Sequence, residues 1–197
     1  MKQLIFIHGG EVFKSKEEFL KTLRKWEYNP HKDISKKWNK RIAEELGESF
    51  DVFTPTMPCK QNADYQAWEI WFEKVLEYIN SEVVFVGYSL GGTFLLKFIS
   101  ENNLNLQIDK LVLLAPAVLS TKEQSLENFE PNKNLINSIE GKVKQIHILH
   151  SKDDPVVPFS DSIFLQKLLP NAKLHIFNDK KHFFDERFDE FFEVLKI

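Results

Sequence analysis

Apolar residues in this chain come in two rhythms. Six short runs are rich in Val, Ile, Leu and Phe: QLIFIH at 3–8, FDVFTP at 50–55, VVFVG at 83–87, KLVLLAP at 110–116, QIHILH at 145–150 and KLHIF at 173–177. Their length, β-branched content and flanking turn residues read as strands. Between them lie longer amphipathic stretches, around residues 36–47, 65–80, 90–102, 133–140, 160–169 and 184–195, which read as helices. The last carries Phe184, Phe188, Phe191, Phe192 and Leu195 on one face, a stripe suited to a core. Strands that are apolar on both faces and alternate with helices predict a parallel sheet covered on each side. The expected class is α/β, a three-layer doubly wound sandwich of about six parallel strands. All strands of such a sheet end at one edge, and the loops leaving that edge build the site.

Two connections are less regular. Residues 11–35 lengthen the first, with a helix near KEEFLKTLRKW and a turn at YNPHKD; residues 117–132 are polar and mixed. Neither is long enough for a domain of its own, so residues 1–197 read as a single domain.

Composition narrows the partners rather than the fold. The chain is 43% hydrophobic and 28% charged, with a net charge of −3, the balance of an ordinary globular protein. That charge gives no reason to expect nucleic acid or an anionic membrane as a partner. Cys59 is the only cysteine, which rules out an intrachain disulfide and a cysteine metal cluster. The apolar run before His8 is four residues long, too short for the core of a signal peptide. A cytoplasmic location is the expectation, with no metal or other cofactor, since no metal spacing, phosphate loop or dinucleotide fingerprint is present.

One stretch promises chemistry. Ser89 lies between Gly87 and Gly91, directly after VVFV and before a helical pattern. G-x-S-x-G in a strand–turn–helix setting is the form of a nucleophile elbow, with glycines where the turn is too tight for side chains. A serine nucleophile needs a base, and the base needs an orienting carboxylate. LHSKDDPVVP follows the fifth run and offers Asp153 and Asp154; FNDKKHFF follows the sixth and offers His182. All three groups then leave strand ends toward one place. The turn before Val156 and Val157 favours Asp154 as the inward acid, with Asp153 capping the loop. His147 and His175 lie within strands and read as packed, hydrogen-bonded residues. His150 precedes the acid and makes a poor base in this order, and His31 reads as a solvated loop residue. A tetrahedral intermediate also needs two N–H donors. Leu90, after the serine, is one; the other comes from the IHGG loop, from Gly10 or, second, Glu11. That loop faces the elbow if the strand order is 2-1-3-4-5-6.

On these residues the chain resembles an α/β-hydrolase, and is most similar to the small YdeN-type serine hydrolases without a large cap. The likeness runs through FIHGG, PTMPCKQNADYQAWEIWFEKVL, VGYSLGG, SKDDPVVP and KKHF, nearly the whole chain. It implies Ser89 as nucleophile, His182 as base, Asp154 as orienting acid, and Gly10 and Leu90 as oxyanion donors. It also implies hydrolysis of a small carboxylic ester; a lactone or thioester would use the same groups, and a non-catalytic binding protein on the scaffold is the rival class. Two departures stand out: the first two strands of the larger fold are missing, and Lys180 and Lys181 precede the histidine, making a more positive mouth. Met57, Pro58 and Cys59 are candidates for lining the crevice, and Trp68, Trp71 and Phe72 for the core. With no cap, only the 11–35 segment (Phe13, Phe19, Leu23, Trp26) is left to narrow the entrance. Acyl chains up to hexanoyl are then expected to be accepted, with efficiency falling beyond about eight carbons.

Overall fold

A computed structural model describes residues 1–31, 37–80, 82–121 and 125–196. Six strands, β1 (Lys2–Ile7), β2 (Phe50–Phe53), β3 (Val83–Tyr88), β4 (Ile108–Leu114), β5 (Val143–Ser151) and β6 (Lys173–Phe177), form one parallel sheet in the order β2-β1-β3-β4-β5-β6. The six apolar runs are these six strands, and the order is the one that brings the IHGG loop beside the elbow. β1, β3 and β4 are almost wholly buried, whereas the edge strand β2 is only half-buried.

Alternation along each strand makes two cores. Ile5, Ile7, Phe85, Leu111, Leu113 and Ile148 face one side. There they meet α3 (Tyr65–Leu76), α4 (Leu90–Glu101) and α5 (Ser160–Leu168), chiefly through Trp68, Phe72, Phe94, Phe98 and Leu165. Leu4, Phe6, Val84, Val86, Val112 and Leu114 face the other, against α2 (Ile42–Leu46) and α6 (Asp189–Lys196). Successive side chains on a strand point to opposite faces, so one run of apolar residues serves both layers. Lys110, buried beneath α6, donates from Nζ to Val194 O at 2.7 Å, giving a partner to a carbonyl in the helix's last turn.

Several predicted helices are shorter than their patterns. The stretch at 133–140 is a 3₁₀ segment, Ile136–Gly141, whose Ile136 and Ile139 are nevertheless core residues. The stretch at 36–47 splits into a 3₁₀ turn, Trp38–Lys40, and α2; residue 36 and the last two residues of the YNPHKD turn lie outside the described residues. α6 begins at Asp189, not near residue 184, so Phe188, Phe191, Phe192 and Leu195 are buried while Phe184 stays 44% exposed. The physical reason is positional: Phe183 and Phe188 stack on each other at 4.4 Å, which turns the chain before the helix can start. α1 (Lys16–Leu23) forms where the pattern placed it, capped by Ser15 accepting from Glu18 N, but it buries no residue. Its aromatic neighbours pack on one another, Phe13 on Phe19 at 5.4 Å and Phe19 on Trp26 at 6.4 Å. Trp68 and Phe72 are fully buried as expected, whereas Trp71 is 44% exposed. Among the described residues no helix is long and apolar enough to cross a membrane.

Candidate active site

The chain leaves β3 at Tyr88 and enters α4 at Leu90, so Ser89 alone makes the turn. Its φ of 53° and ψ of −122° are strained for a residue with a side chain. Hydrogen bonds from Ser89 N to Leu114 O (2.8 Å) and from Gly92 N to Ser89 O (2.8 Å) hold it there. Although Ser89 occupies the N-cap position, its hydroxyl does not cap the helix. The glycines are steric requirements. A Cβ on Gly91 would lie 2.7 Å from His8 O and closer still to Ile7 O; one on Gly87 would lie 2.6 Å from Gly92 Cα.

The loop after β5 turns on Asp154. Its Oδ1 accepts from Val156 N (2.8 Å) and Val157 N (2.9 Å), and Oδ2 lies 2.7 Å from His182 Nδ1. The side chain is wholly buried. Burial opposes its ionisation, but the hydrogen bonds from His150 and His182 outweigh that and hold the carboxyl well below the usual carboxylate range. Asp153 caps the neighbouring loop instead: its Oδ1 accepts from Ser151 Oγ (2.5 Å) and Lys181 N (2.9 Å).

His182 is placed by clamps on both sides. Tyr88 Oη donates to His182 O at 2.6 Å, and Trp38 Nε1 donates to Phe183 O at 2.9 Å. Lys180 N donates to Ser151 Oγ at 3.0 Å. Lys181 and Phe183 on either side have φ of 49° and 55°, a kinked backbone held by those partners. Burial, with Asp154 adding to it, pushes the Tyr88 phenol upward and keeps it a donor.

After β1, His8 Nε2 accepts from Met57 N (2.9 Å), so the proton sits on Nδ1, which donates to Gly9 O (2.7 Å). Burial lowers His8 below its ordinary value, and Lys60 and Lys40 push the same way against the Gly9 bond. The amide of Glu11 donates to Lys60 O at 2.8 Å. That of Gly10 has no carbonyl partner among the described residues. A Cβ on Gly10 would sit 2.8 Å from Lys60 O, and one on Gly9 would sit 3.1 Å from Ser89 Cβ. The loop therefore lies flat against the elbow.

Ser89, Gly9, Gly10, Glu11, Tyr88 and His182 line one cavity of about 440 Å³ at the carboxyl edge of the sheet. No hydrogen bond joins Ser89 to His182 among the described residues. Larger grooves of about 700 and 730 Å³ lie elsewhere, around Asn103–Lys144 at the opposite edge and beside β2 with Trp71 and Tyr78. Neither holds a set of groups that could work together on a substrate. Among the described residues no cluster of three or more His, Cys, Asp or Glu is arranged for a metal ion.

Several expectations about the lining need correction. Lys180 pairs with Glu190 at 2.9 Å, and neither it nor Lys181 borders the cavity; the positive groups there are Lys40 and Lys60. Met57 is buried in the core and Pro58 O accepts from Trp68 Nε1, so neither lines the crevice; Thr56, Lys60 and Gln61 do. Among the described residues of the 11–35 segment only Glu11 and Val12 reach the space around Ser89. Burial raises the Glu11 carboxyl, with His182 opposing. His147 and His175 bond to each other at 3.0 Å as packed strand residues, and burial lowers His147 to about 4. His150 is more than a poor base. Fully buried, it lies with Nε2 3.2 Å from Asp154 Oδ2 and 3.1 Å from Val157 O, both acceptors, and with Nδ1 2.7 Å from Ser162 Oγ. Its i,i+4 spacing to Asp154 on either side of a strand end was the one signal in the sequence.

An open parallel sheet with helices on both faces and an elbow serine at its carboxyl edge has the fold of the α/β-hydrolases. The structure is similar over its whole length to the ydeN gene product from B. subtilis, with a TM-score of 0.77, 20% identity and 97% of that chain covered. It is also similar to a meta-cleavage product hydrolase from Pseudomonas fluorescens IP01 (TM-score 0.68, 16% identity, 99% of this chain and 89% of that one). A third similar structure is an esterase from Exiguobacterium antarcticum (TM-score 0.61, 15% identity, 100% and 91%). No relative matches among curated proteins. Residues 29–189 match the serine hydrolase family model, and the chain belongs to that family.

Proposed function

We propose that this serine hydrolase is an esterase acting through an acyl-enzyme on Ser89, with His182 as general base and Asp154 as the acid that orients it. The observation that carries the reading is the buried 2.7 Å contact between Asp154 Oδ2 and His182 Nδ1, at a cavity that Ser89 also lines. That bond keeps the Nδ1 proton in place and leaves Nε2 unprotonated toward the cavity. Ser89 Oγ attacks the ester carbonyl while Nε2 takes its proton. The tetrahedral intermediate collapses as Nε2 returns the proton to the leaving alkoxide, and water then resolves the acyl-enzyme by the same steps. Catalytic hydrogen bonds often tighten only with substrate in place, and the serine and histidine need to close up in this way.

Leu90 N, at the start of α4, and Gly10 N are the proposed oxyanion donors. Gly10 is preferred to Glu11 because the Glu11 amide is already engaged by Lys60 O. Ester, lactone and thioester carbonyls all suit this geometry; the ester is preferred to the lactone because a cavity of about 440 Å³ has room for the alcohol as a separate group.

The test is labelling with a fluorophosphonate followed by peptide mass mapping, together with turnover of an ester, lactone and thioester panel. Modification of Ser89, and loss of ester turnover by about 10³-fold or more in folded Ser89→Ala, are expected. An unlabelled, inactive wild-type protein would favour the binding-protein class; substantial turnover by Ser89→Ala would refute the mechanism.

A further inference from the structure

Resting on the esterase reading, we infer that His150 is a positioning residue for the reaction: from inside the protein it holds the second oxygen of Asp154 on His182. A carboxylate has about four acceptor positions, two on each oxygen. Val156 N and Val157 N fill those of Oδ1, at 2.8 and 2.9 Å. His182 Nδ1 takes one on Oδ2, at 2.7 Å, and His150 Nε2 faces the same oxygen at 3.2 Å. The side chains of Asp154 and His150 are both wholly buried, so no solvent reaches the pair.

The ring's own partners fix its tautomer. Nε2 faces two oxygens that only accept, Asp154 Oδ2 and Val157 O (3.1 Å), so Nε2 carries the proton. Nδ1 then accepts from Ser162 Oγ, 2.7 Å away on α5 and fully buried. Phe159 crosses the ring at 76° with centroids 5.6 Å apart. β5 supplies the backbone of His150, α5 the hydroxyl and the loop between them the carbonyl, so three elements hold one ring. The same loop holds the carboxylate: Val157 accepts from the ring with its carbonyl and donates to Oδ1 with its amide.

The chemistry suits this kind of donor. Asp154 has to stay charged to stabilise the imidazolium that forms on His182. Burial works against that charge, and the hydrogen bond from His150 stands first among those that hold the carboxyl below its usual range. An apolar side chain at position 150 would leave part of a buried carboxylate without a partner. A lysine or arginine would bring a full positive charge and cancel the field that His182 needs. A ring N–H satisfies the oxygen and leaves its charge in place. The chain of contacts Ser162–His150–Asp154–His182 thus carries orientation from a core helix to the catalytic base.

The test is kcat and KM on nitrophenyl acetate for His150→Phe, His150→Gln and Ser162→Ala, with urea unfolding to show that each is folded. His150→Phe should lower kcat about ten- to a hundredfold, the scale of one hydrogen bond to a charged group, and leave KM within about threefold. His150→Gln, whose amide N–H can stand in for Nε2, should keep kcat at least about threefold above that. Ser162→Ala frees the ring without removing it; it should cost about two- to tenfold in kcat and serves if His150→Phe does not fold. The same changes are then made on top of Asp154→Asn and read as the rate of Ser89 labelling by a fluorophosphonate. There they should slow labelling by less than about twofold, since a residue that acts through Asp154 has nothing left to act on. Undiminished kcat in the folded variants, a glutamine variant no better than phenylalanine, or the full loss repeated on top of Asp154→Asn would overturn the inference, while labelling of wild-type Ser89 keeps the esterase reading. A wild type that never labels at Ser89 would remove that reading and this inference with it.

Discussion

Replacing Asp154 by asparagine changes one atom in a fully buried side chain, and the structure dictates what that atom meets. Oδ1 takes two amide protons, from Val156 and Val157, so the carbonyl of the new amide must stay there. The NH₂ group then replaces Oδ2, 2.7 Å from His182 Nδ1 and 3.2 Å from His150 Nε2. Facing a donor, His182 has to accept at Nδ1 and carry its proton on Nε2, where it can no longer take one from Ser89. A wrong tautomer of this kind costs roughly 10⁴ in kcat. His150 Nε2 meanwhile points its proton at another donor, and a spoiled buried pair costs about 1–3 kcal/mol of stability. Turning the amide over does not help, because NH₂ would then face both backbone N–H groups. Asp153→Asn is the control. Its Oδ1 can still accept from Ser151 Oγ and Lys181 N, so loop stability should change little and the rate should fall by less than about tenfold. The assay is kcat and KM on nitrophenyl acetate, with urea unfolding to show that each variant is folded. Equal losses, or the larger loss at Asp153, would refute the assignment of the acid.

Two further outcomes follow from the same geometry. Gly91→Ala should destabilise the protein by at least about 3 kcal/mol, because the added Cβ meets the backbone carbonyls of Ile7 and His8, which cannot give way without moving β1; a urea midpoint within error of wild type would contradict the packing at the elbow. The depressed pKa of Asp154 has a definite sign: its contribution is present above the unfolded value near 3.9, and is lost as pH falls through the lower folded value. The stability gap between wild type and Asp154→Asn, measured by denaturant unfolding, should therefore be constant above about pH 5 and shrink in stronger acid; a gap that widens on acidification would show that the carboxyl is not held ionised.

Periodicity and turn chemistry are local properties, and what depends on them was legible in the order of residues. The apolar runs are the strands, since a doubly buried strand needs side chains for both faces, and Leu4 and Ile5 duly serve opposite cores. The elbow was legible in part: Gly87 answers a clash with Gly91 and Gly92 a few residues along the chain, whereas the close approach of Gly91 to Ile7 and His8 comes from β1. Asp154 and His182 could be placed because parallel strands must end at one edge. Helix ends were less legible, as at Phe184, where stacking between Phe183 and Phe188 decides the turn and no pattern records it. Contacts between loops were not legible at all. Lys40 and Lys60 border the cavity in place of Lys180 and Lys181, Lys60 O takes the Glu11 amide, and His150 reaches the carboxylate shared with His182. So it is with the small space beside Ser89 lined by Gly10, Val12, Ala117 and Leu126, whose walls come from three connections, after β1, β3 and β4. Each such contact depends on where separate loops are carried by the sheet to within a few ångströms, and sequence spacing has no measure of that distance.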